Sequence, residues 1–582
     1  MGWPAASGAF YARTMTDETL EGGLDEPDEL EPEQGSLALA DAEDRSSRED
    51  WEKSAAAVLR KAGRLRDGDS DTEVWDRLAL RTLDGIAVSP LGTPQLLEDL
   101  ATGGRPDRAG DWDIRAHLSG SDAKQANEAA LVDLDNGVTS LWLQGTSDTD
   151  LAAVLEGVLL DLAPVVLDGI APEAFLGYAD GRTLHPATNL GTAAGDATGE
   201  AAQQALDAGV LGFVVDAARV HDRGASDAQE LAWSLATGAA YLRTLVDAGV
   251  DLDDAARLLE FRYAATDEQF PTIAKLRAAR RLWARVLELS DATERVQRQH
   301  VVTSRAMMSK YDPWVNMLRT TVAAFAAGAG GADSVTVIPF DSPLGRPDAF
   351  GRRIARNTSH LLIDESHVAH VADPAGGAYA VEKLTDDLAV AAWDVFGRIE
   401  AGADLDDEIA VIVAKREAEI AERKRPITGL TEFPNLAESL PERRPAGGAE
   451  VRRYGASFEA LRDEPVAQPV FLATLGTVAS HTARATFAAN LFAAGGIAVD
   501  SAGATDGVEA LLAAYKSQPV VCLAGSDPTY AEWGVDAVEA LRKAGAGHVI
   551  VAGRPDGLEV DDACAVGVDA LDFLTRTREK LA

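Results

Sequence analysis

LGFVVDA (211–217), a loop, and then DAQELAWSLATGAAYLRTLVDAG (227–249) form the unit whose reading decides the fold. The first stretch is a short apolar run with β-branched and aromatic residues, the pattern of a strand buried on both faces. The second repeats apolar residues at three- and four-residue spacing, the pattern of a helix. A strand followed directly by a long helix calls for a parallel neighbour, because the helix carries the chain back to the starting edge of the sheet.

The unit recurs on both sides. SLWLQG (140–145), APVVLDG (163–169), FRYAA (261–265), SVTVIPF (334–340) and HLLIDES (360–366) read as further buried strands. DLAAVLEGVLLDL (150–162) and TIAKLRAARRLWARVLEL (272–289) read as helices between them. Alternation over roughly 300 residues fits a closed (β/α)8 TIM barrel better than a small open sheet. Residues 51–422 are assigned to this barrel, with a first helix at WEKSAAAVLRKAGRL (51–65). RKRPITGLTEFPNLAESLPERRPAGGAE (423–450) then carries four prolines and several turn signals, so 423–468 is read as a linker wrapping the surface. The last part, 469–582, alternates again. PVFLATLG (469–476), GIAVDSA (496–502), PVVCLAGS (519–526) and HVIVAGR (548–554) are strands, with helices at 480–494, 505–516 and 530–545. A short fifth strand near 562–568 precedes a last helix, giving a doubly wound, flavodoxin-like domain.

The composition narrows the partners. The 582 residues are 46% hydrophobic and 25% charged, which suits a globular chain. With 94 Asp and Glu against 54 Lys and Arg, the formal net charge is −40. That balance argues against nucleic acid and against anionic lipid, both of which are bound through basic patches. Two cysteines exclude a disulfide scaffold and point to a reduced, cytoplasmic protein. No apolar run reaches the roughly 18 residues of a membrane helix, and residues 1–14 lack the pattern of a signal peptide. Residues 1–50 read as a disordered acidic arm, with 14 acidic and 2 basic side chains in 17–50; Met15 is an alternative start to Met1.

Long motifs carry a resemblance. MMSKYDPWVNMLRTTVAAFAAGAGGADSVTVIPFDSPLGRPDAFGRRIARNTSHLLIDESHVAHVADPAGGAYAVEKLT (307–385), IAKLRAARRLWARV (273–286), RPITGLTEFPN (425–435) and RRYGASFEALRDE (452–464) are similar, in order, to the methylmalonyl-CoA mutase family. The resemblance covers roughly residues 50–582. It implies a barrel that threads a CoA ester down its axis, and a C-terminal domain of the cobalamin-binding type that presents adenosylcobalamin to the barrel mouth. The cofactor supplies radical chemistry, and the protein holds and shields it.

Two sites of that family are altered here. The family holds cobalt through Asp-x-His-x-x-Gly just after the first strand of the C-terminal domain. In that register this chain has Val478, Ser480 and Ala483, with His481 one residue late. A Tyr-His pair over the substrate is replaced by Ala218 and Arg219, with His221 nearby, read as a surface-loop residue. Of the CoA-entry loop, ATGGRPDRAGDWDIRAHL (101–118), only Trp112 and Arg115 resemble the family. The resemblance with these losses implies the small, non-catalytic subunit of a heterodimer. Its large (alpha) subunit would bind adenosylcobalamin and substrate, and this chain no cofactor. Alternatives are an autonomous mutase using His481 and His221, or a regulatory binding partner.

Remaining candidates have structural readings. His360, His367 and His370, with Asp364 or Glu365, have a spacing that a strand and turn would scatter, so no metal site is assigned. AGAGGA (327–332) precedes a strand and reads as a turn. Tyr311, Asp312 and Trp314 read as packing and capping residues at a helix start, and Cys522 as a buried, inert thiol.

Overall fold

The computed structural model describes residues 46–582 except 99, 107, 447–450 and 555–556. The acidic arm therefore lies outside the described residues up to position 45. Two compact units divide at Leu78 and Ala79. In the first, the helix Arg48–Lys61 begins earlier than the apolar pattern indicates, because Ser47 and Asp50 form a reciprocal capping box. Trp51 and Trp75 pack with ring centroids 4.5 Å apart, and Glu52 accepts from the Trp75 indole at 2.6 Å.

The second unit opens with the closed barrel. Its strands are β1 (Asp113–Ser119), β2 (Ser140–Gln144), β3 (Val165–Asp168), β4 (Asn189–Thr192), β5 (Leu211–Asp216), β6 (Leu259–Ala265), β7 (Gln299–Thr303) and β8 (Ser334–Thr336). Neighbours pair in parallel, and Ser334 opposite Asp113 closes the ring between β8 and β1. Long helices Asp227–Asp247, Gln269–Leu289 and Tyr379–Glu400 bury apolar faces on the outside of the sheet.

Three strands escape an apolar-run reading. β1 alternates Asp113, Arg115 and His117 with Ile114, Ala116 and Leu118, so its polar side faces the barrel interior. It runs through the stretch read as a CoA-entry loop. Gln299 and His300 disguise β7 in the same way, and β4 is short and interrupted by Gly191. HLLIDES (360–366) is not a strand. The helix Ala349–His360 continues into a π-helical turn, Leu361–Glu365. Buried Ala355, Thr358, Ser359, Leu362 and Ile363 keep the three-to-four spacing of a helix, and the barrel closes without this segment. The helix read at 150–162 is a single turn, Leu151–Val154. AGAGGA (327–332) ends the helix Val315–Ala329 before turning into β8.

After the barrel, residues 422–446 and 451–455 hydrogen-bond to loops at the C-terminal ends of the barrel strands, and a helix forms at Ala456–Asp463 inside the stretch read as linker. Tyr454 N–H donates to the Ala306 carbonyl at 2.9 Å and Arg452 N–H to the Asp222 carbonyl at 2.9 Å. Arg319 donates to the Thr428 carbonyl at 2.7 Å, and Arg462 stacks on Tyr311 at 3.9 Å. A five-stranded parallel sheet follows: β9 (Val470–Thr474), β10 (Val499–Ser501), β11 (Val520–Ala524), β12 (His548–Ala552) and β13 (Asp562–Cys564). The order β10-β9-β11-β12-β13 is the flavodoxin-like one.

Gly238 illustrates how closely helix and barrel meet. A β-carbon there would sit 2.8 Å from the Trp283 ring and 3.0 Å from Phe261. Glycine to alanine within a helix ordinarily gains about 1 kcal/mol of propensity. Here overpacking against two core rings costs about 1–3 kcal/mol. Gly238→Ala is therefore expected to leave the protein no more stable, or less so, and its thermal unfolding midpoint would show it. A raised midpoint would contradict this packing.

Candidate functional site

In a TIM barrel the site of chemistry lies at the C-terminal ends of the strands, above an interior filled by side chains. The interior here is a ladder of charges. Arg115 on β1 donates to Glu260 on β6 at 2.8 Å. These strands are not neighbours, so the bond crosses the axis. Arg115 also donates to Ser140 at 3.0 Å and pairs with Asp113 at 3.2 Å. One layer higher, Arg262 stacks on Trp142 at 3.9 Å, pairs with Asp216 at 2.8 Å and donates Nε–H to His300 Nδ1 at 3.1 Å. His300 Nε2 meets the Thr336 hydroxyl at 2.8 Å, and the His117 ring lies 4.4 Å from Trp142. An indole with a guanidinium stacked on it stands across the barrel axis. The mouth retains a cavity of ≈ 10 Å³ beside Trp142, Asp216, Asp222, Ser304 and Arg305, the room of about one water.

Above this ladder lies the short helix Ala218–Asp222. Arg219 reaches Asp168 at 2.9 Å and Asp216 at 3.2 Å, tying the end of β3 to the end of β5. Its guanidinium remains charged and cannot exchange a proton at neutral pH. Ala218 offers no polar group. His221 is not a surface-loop residue: it is buried, because the turn that carries it is helical and points it inward. Its Nε2 lies 2.7 Å from the Ser304 hydroxyl and its Nδ1 3.4 Å from Glu230. Glu230 in turn binds Lys275 at 2.7 Å and accepts the Ala264 amide at 2.8 Å. The Tyr454 hydroxyl approaches His221 at 3.4 Å. This histidine is committed to a buried network that also holds the linker.

The family's cofactor motif falls on the edge of the C-terminal sheet, and the residues here do not fit that group. Val478 begins the helix Val478–Ala494, so Val478, Ser480 and Ala483 all lie on the helix. Ser480 meets the Thr477 hydroxyl at 2.9 Å. His481 shares the buried side of the helix with Ala488 and Leu491. The strand order reverses between β9 and β11, where a flavodoxin-like fold opens its crevice. Beside it, Arg484 donates to the Gly525 carbonyl at 2.7 Å and pairs with Asp527 at 2.6 Å. The buried Tyr530 hydroxyl accepts the Gly525 amide at 2.9 Å and donates to the Ala552 carbonyl at 2.9 Å.

The other candidates resolve individually. Trp112, just before β1, is buried over Gly328, and Arg115, within β1, belongs to the axial ladder. His360 pairs with Asp364 at 3.0 Å, while His367 and His370 stack at 4.7 Å. Among the described residues no group of three or more metal-ligating side chains comes together. No helix among them is long and apolar enough to cross a membrane. None of Tyr311, Asp312 and Trp314 caps the following helix through its side chain. Tyr311 binds Asp463 at 2.7 Å, and Trp314 stacks on Phe340 at 5.2 Å. The neighbouring Cys564 and burial raise the Cys522 thiol well above its ordinary value, leaving it unreactive. The sequence reading missed Trp142, Glu260, Arg262 and His300. Its available signal was the alternation of charged residues two apart, as in Arg115/His117 and Glu260/Arg262.

A (β/α)8 barrel closed on a charged axis, joined to a flavodoxin-like sheet, defines the structural class. The family model for methylmalonyl-CoA mutase matches residues 211–499. A methylmalonyl-CoA mutase small subunit from Streptomyces virginiae is 42% identical, over 94% of this chain and 99% of that protein. The small subunit from Propionibacterium freudenreichii subsp. shermanii is 34% identical, over 95% and 97%. A methylmalonyl-CoA mutase from Rhizobium meliloti is 37% identical, but over 35% of this chain and 29% of that protein. The chain belongs to the methylmalonyl-CoA mutase family.

The axial histidines make the fold sensitive to acid. Withdrawal from water and the nearby Arg305, Arg262 and Arg352 lower His117 from 6.5 to about 3. Burial, then Arg115 and Arg262, hold His300 well below 6.5. Both stay neutral in the folded chain while the unfolded chain takes up protons. Their contribution is therefore full above pH 6.5 and is lost as pH falls toward 3. Urea midpoints should fall between pH 7.5 and 5.5, and the His117→Gln/His300→Gln variant should show a shallower decline. An unchanged slope would contradict neutral axial histidines.

Proposed function

We propose that this chain is the non-catalytic small subunit of a heterodimeric, cytoplasmic methylmalonyl-CoA mutase. Its large subunit carries adenosylcobalamin and interconverts succinyl-CoA and methylmalonyl-CoA. The observation that carries this reading is the occupied axis: Trp142, Arg262 and His300 fill the passage that an acyl-CoA would need. The mouth supports it, since Arg219 is engaged by two carboxylates and His221 by Ser304 and Glu230. So does the C-terminal sheet, where Val478, Ser480 and Ala483 supply no imidazole ligand. The relatives that match over nearly the full length bear the small-subunit name.

In this role the chain keeps the two-domain shape and gives up the chemistry. Buried charge pairs hold the barrel, and the linker fastens the C-terminal sheet to it, offering a partner a fixed surface.

The test is gel filtration of the purified chain with cobalamin, alone and after co-expression with the large subunit. Cobalamin absorbance is expected only with the complex, at about one cofactor per heterodimer, and isomerase activity only there. Cobalamin retained by this chain alone, or turnover of succinyl-CoA by it, would overturn the proposal.

A further inference from the structure

Two neighbouring helices on the outside of the barrel turn large apolar side chains to solvent. At the start of the helix Val315–Ala329, Trp314 is 49% exposed and Leu318, one turn on, is 68% exposed. On the helix Ala349–His360, Phe350 is 40% exposed. These are not scattered residues. Trp314 stacks on buried Phe340 at 5.2 Å, and Phe340 meets Phe350 edge-on at 6.0 Å, so one row of rings joins the two helices. Solvent-facing helix positions ordinarily carry polar residues, and a joined apolar row marks an interaction face.

The charge around the row has the opposite sign to the rest of the protein. Arg353 lies over the Phe350 ring at 5.4 Å. Arg346 N–H donates to the Arg444 carbonyl at 2.7 Å, which brings a third exposed arginine to the same edge. No carboxylate among the described residues pairs with the guanidinium of Arg346, Arg353 or Arg444, whereas Arg443 beside them is taken by Asp341 and Asp348. The acids nearest in sequence are Asp312, Asp348 and Glu442; Asp348 is the one taken by Arg443, and Asp312 and Glu442 form no ion pair among the described residues. In a chain of net charge −40, these three arginines leave the edge of the apolar row locally basic.

We infer that this face, centred on Trp314, Leu318 and Phe350, docks the partner subunit through an apolar segment flanked by carboxylates. The inference rests on the subunit reading above and adds the place and chemistry of contact. The helices, 15 and 12 residues long, span roughly 20 Å each. The face is thus smaller than the roughly 800 Å² per partner of a stable interface and forms its central anchor rather than its whole extent. The arginines at its edge steer an acidic segment onto it, and a symmetric dimer that laid this face on itself would set arginine against arginine.

The experiment measures affinity of the full chain for the co-expressed large subunit by titration calorimetry. Leu318→Glu/Phe350→Glu should weaken binding by roughly 30-fold or more. Arg346→Ala/Arg353→Ala/Arg444→Ala should weaken it less and flatten its salt dependence. Val411→Glu, on an exposed position of another helix, should leave it unchanged. Circular dichroism confirms that each variant folds. Wild-type affinity in both patch variants would overturn the docking face and leave the subunit reading intact. No binding by the wild-type chain would overturn both. A dimer of this chain alone, dissolved by Leu318→Glu in sedimentation, would make a second copy the occupant and overturn the proposal.

Discussion

The ion pair between Arg115 and Glu260 spans the barrel from one side to the other, and the architecture depends on it. A parallel barrel buries its interior completely, so any charge placed there needs a partner within hydrogen-bond reach. Arg115 has one in Glu260 and further support from Asp113 and Ser140. The layer above repeats the solution with Arg262, Asp216, His300 and Trp142. Each layer restrains strands that do not touch along their backbones. The closed ring is thus held from inside as well as through its hydrogen-bond ladders.

That same arrangement decides how the mouth is organised. Asp216 ends β5 and serves both Arg262 below and Arg219 above, so the axial ladder and the rim share a carboxylate. Ser304, just beyond β7, serves His221, which faces Glu230 and the linker's Tyr454. The mouth is thus a junction between barrel, helices and linker. Each of its residues has at least one polar partner, although His221 Nδ1 and Asp216 Oδ1 make no hydrogen bond of their own.

The flavodoxin-like domain was almost fully readable from sequence, because its three central strands, β9, β11 and β12, are apolar runs and its helices follow at short intervals. LATLG before a helix and PVVCLAGS before another leave little room for a different order. The barrel was harder where its interior is polar. β1 and β7 carry arginine and histidine inward, and charge in a strand ordinarily signals solvent. HLLIDES misled for the reverse reason, since three adjacent apolar residues fit a strand and a helix equally well. The altered positions 218, 219, 478, 480 and 483 were visible as residue types. Burial of His221, and the filling of the axis by Trp142 and Arg262, required side chains from distant segments to be placed together. No spacing rule in one sequence does that.

The crossed ladder also makes the residues of the axis interdependent. Replacing Trp142 alone leaves Arg262 without its stacking surface, and replacing Arg262 alone leaves Asp216 and His300 facing a gap. Removing one partner of a buried pair costs about 3–5 kcal/mol, a large share of the margin by which a domain is stable. Any single replacement that opens the axis therefore yields a destabilised protein. The axis is therefore interlocked: opening a passage through it takes several coordinated replacements rather than one.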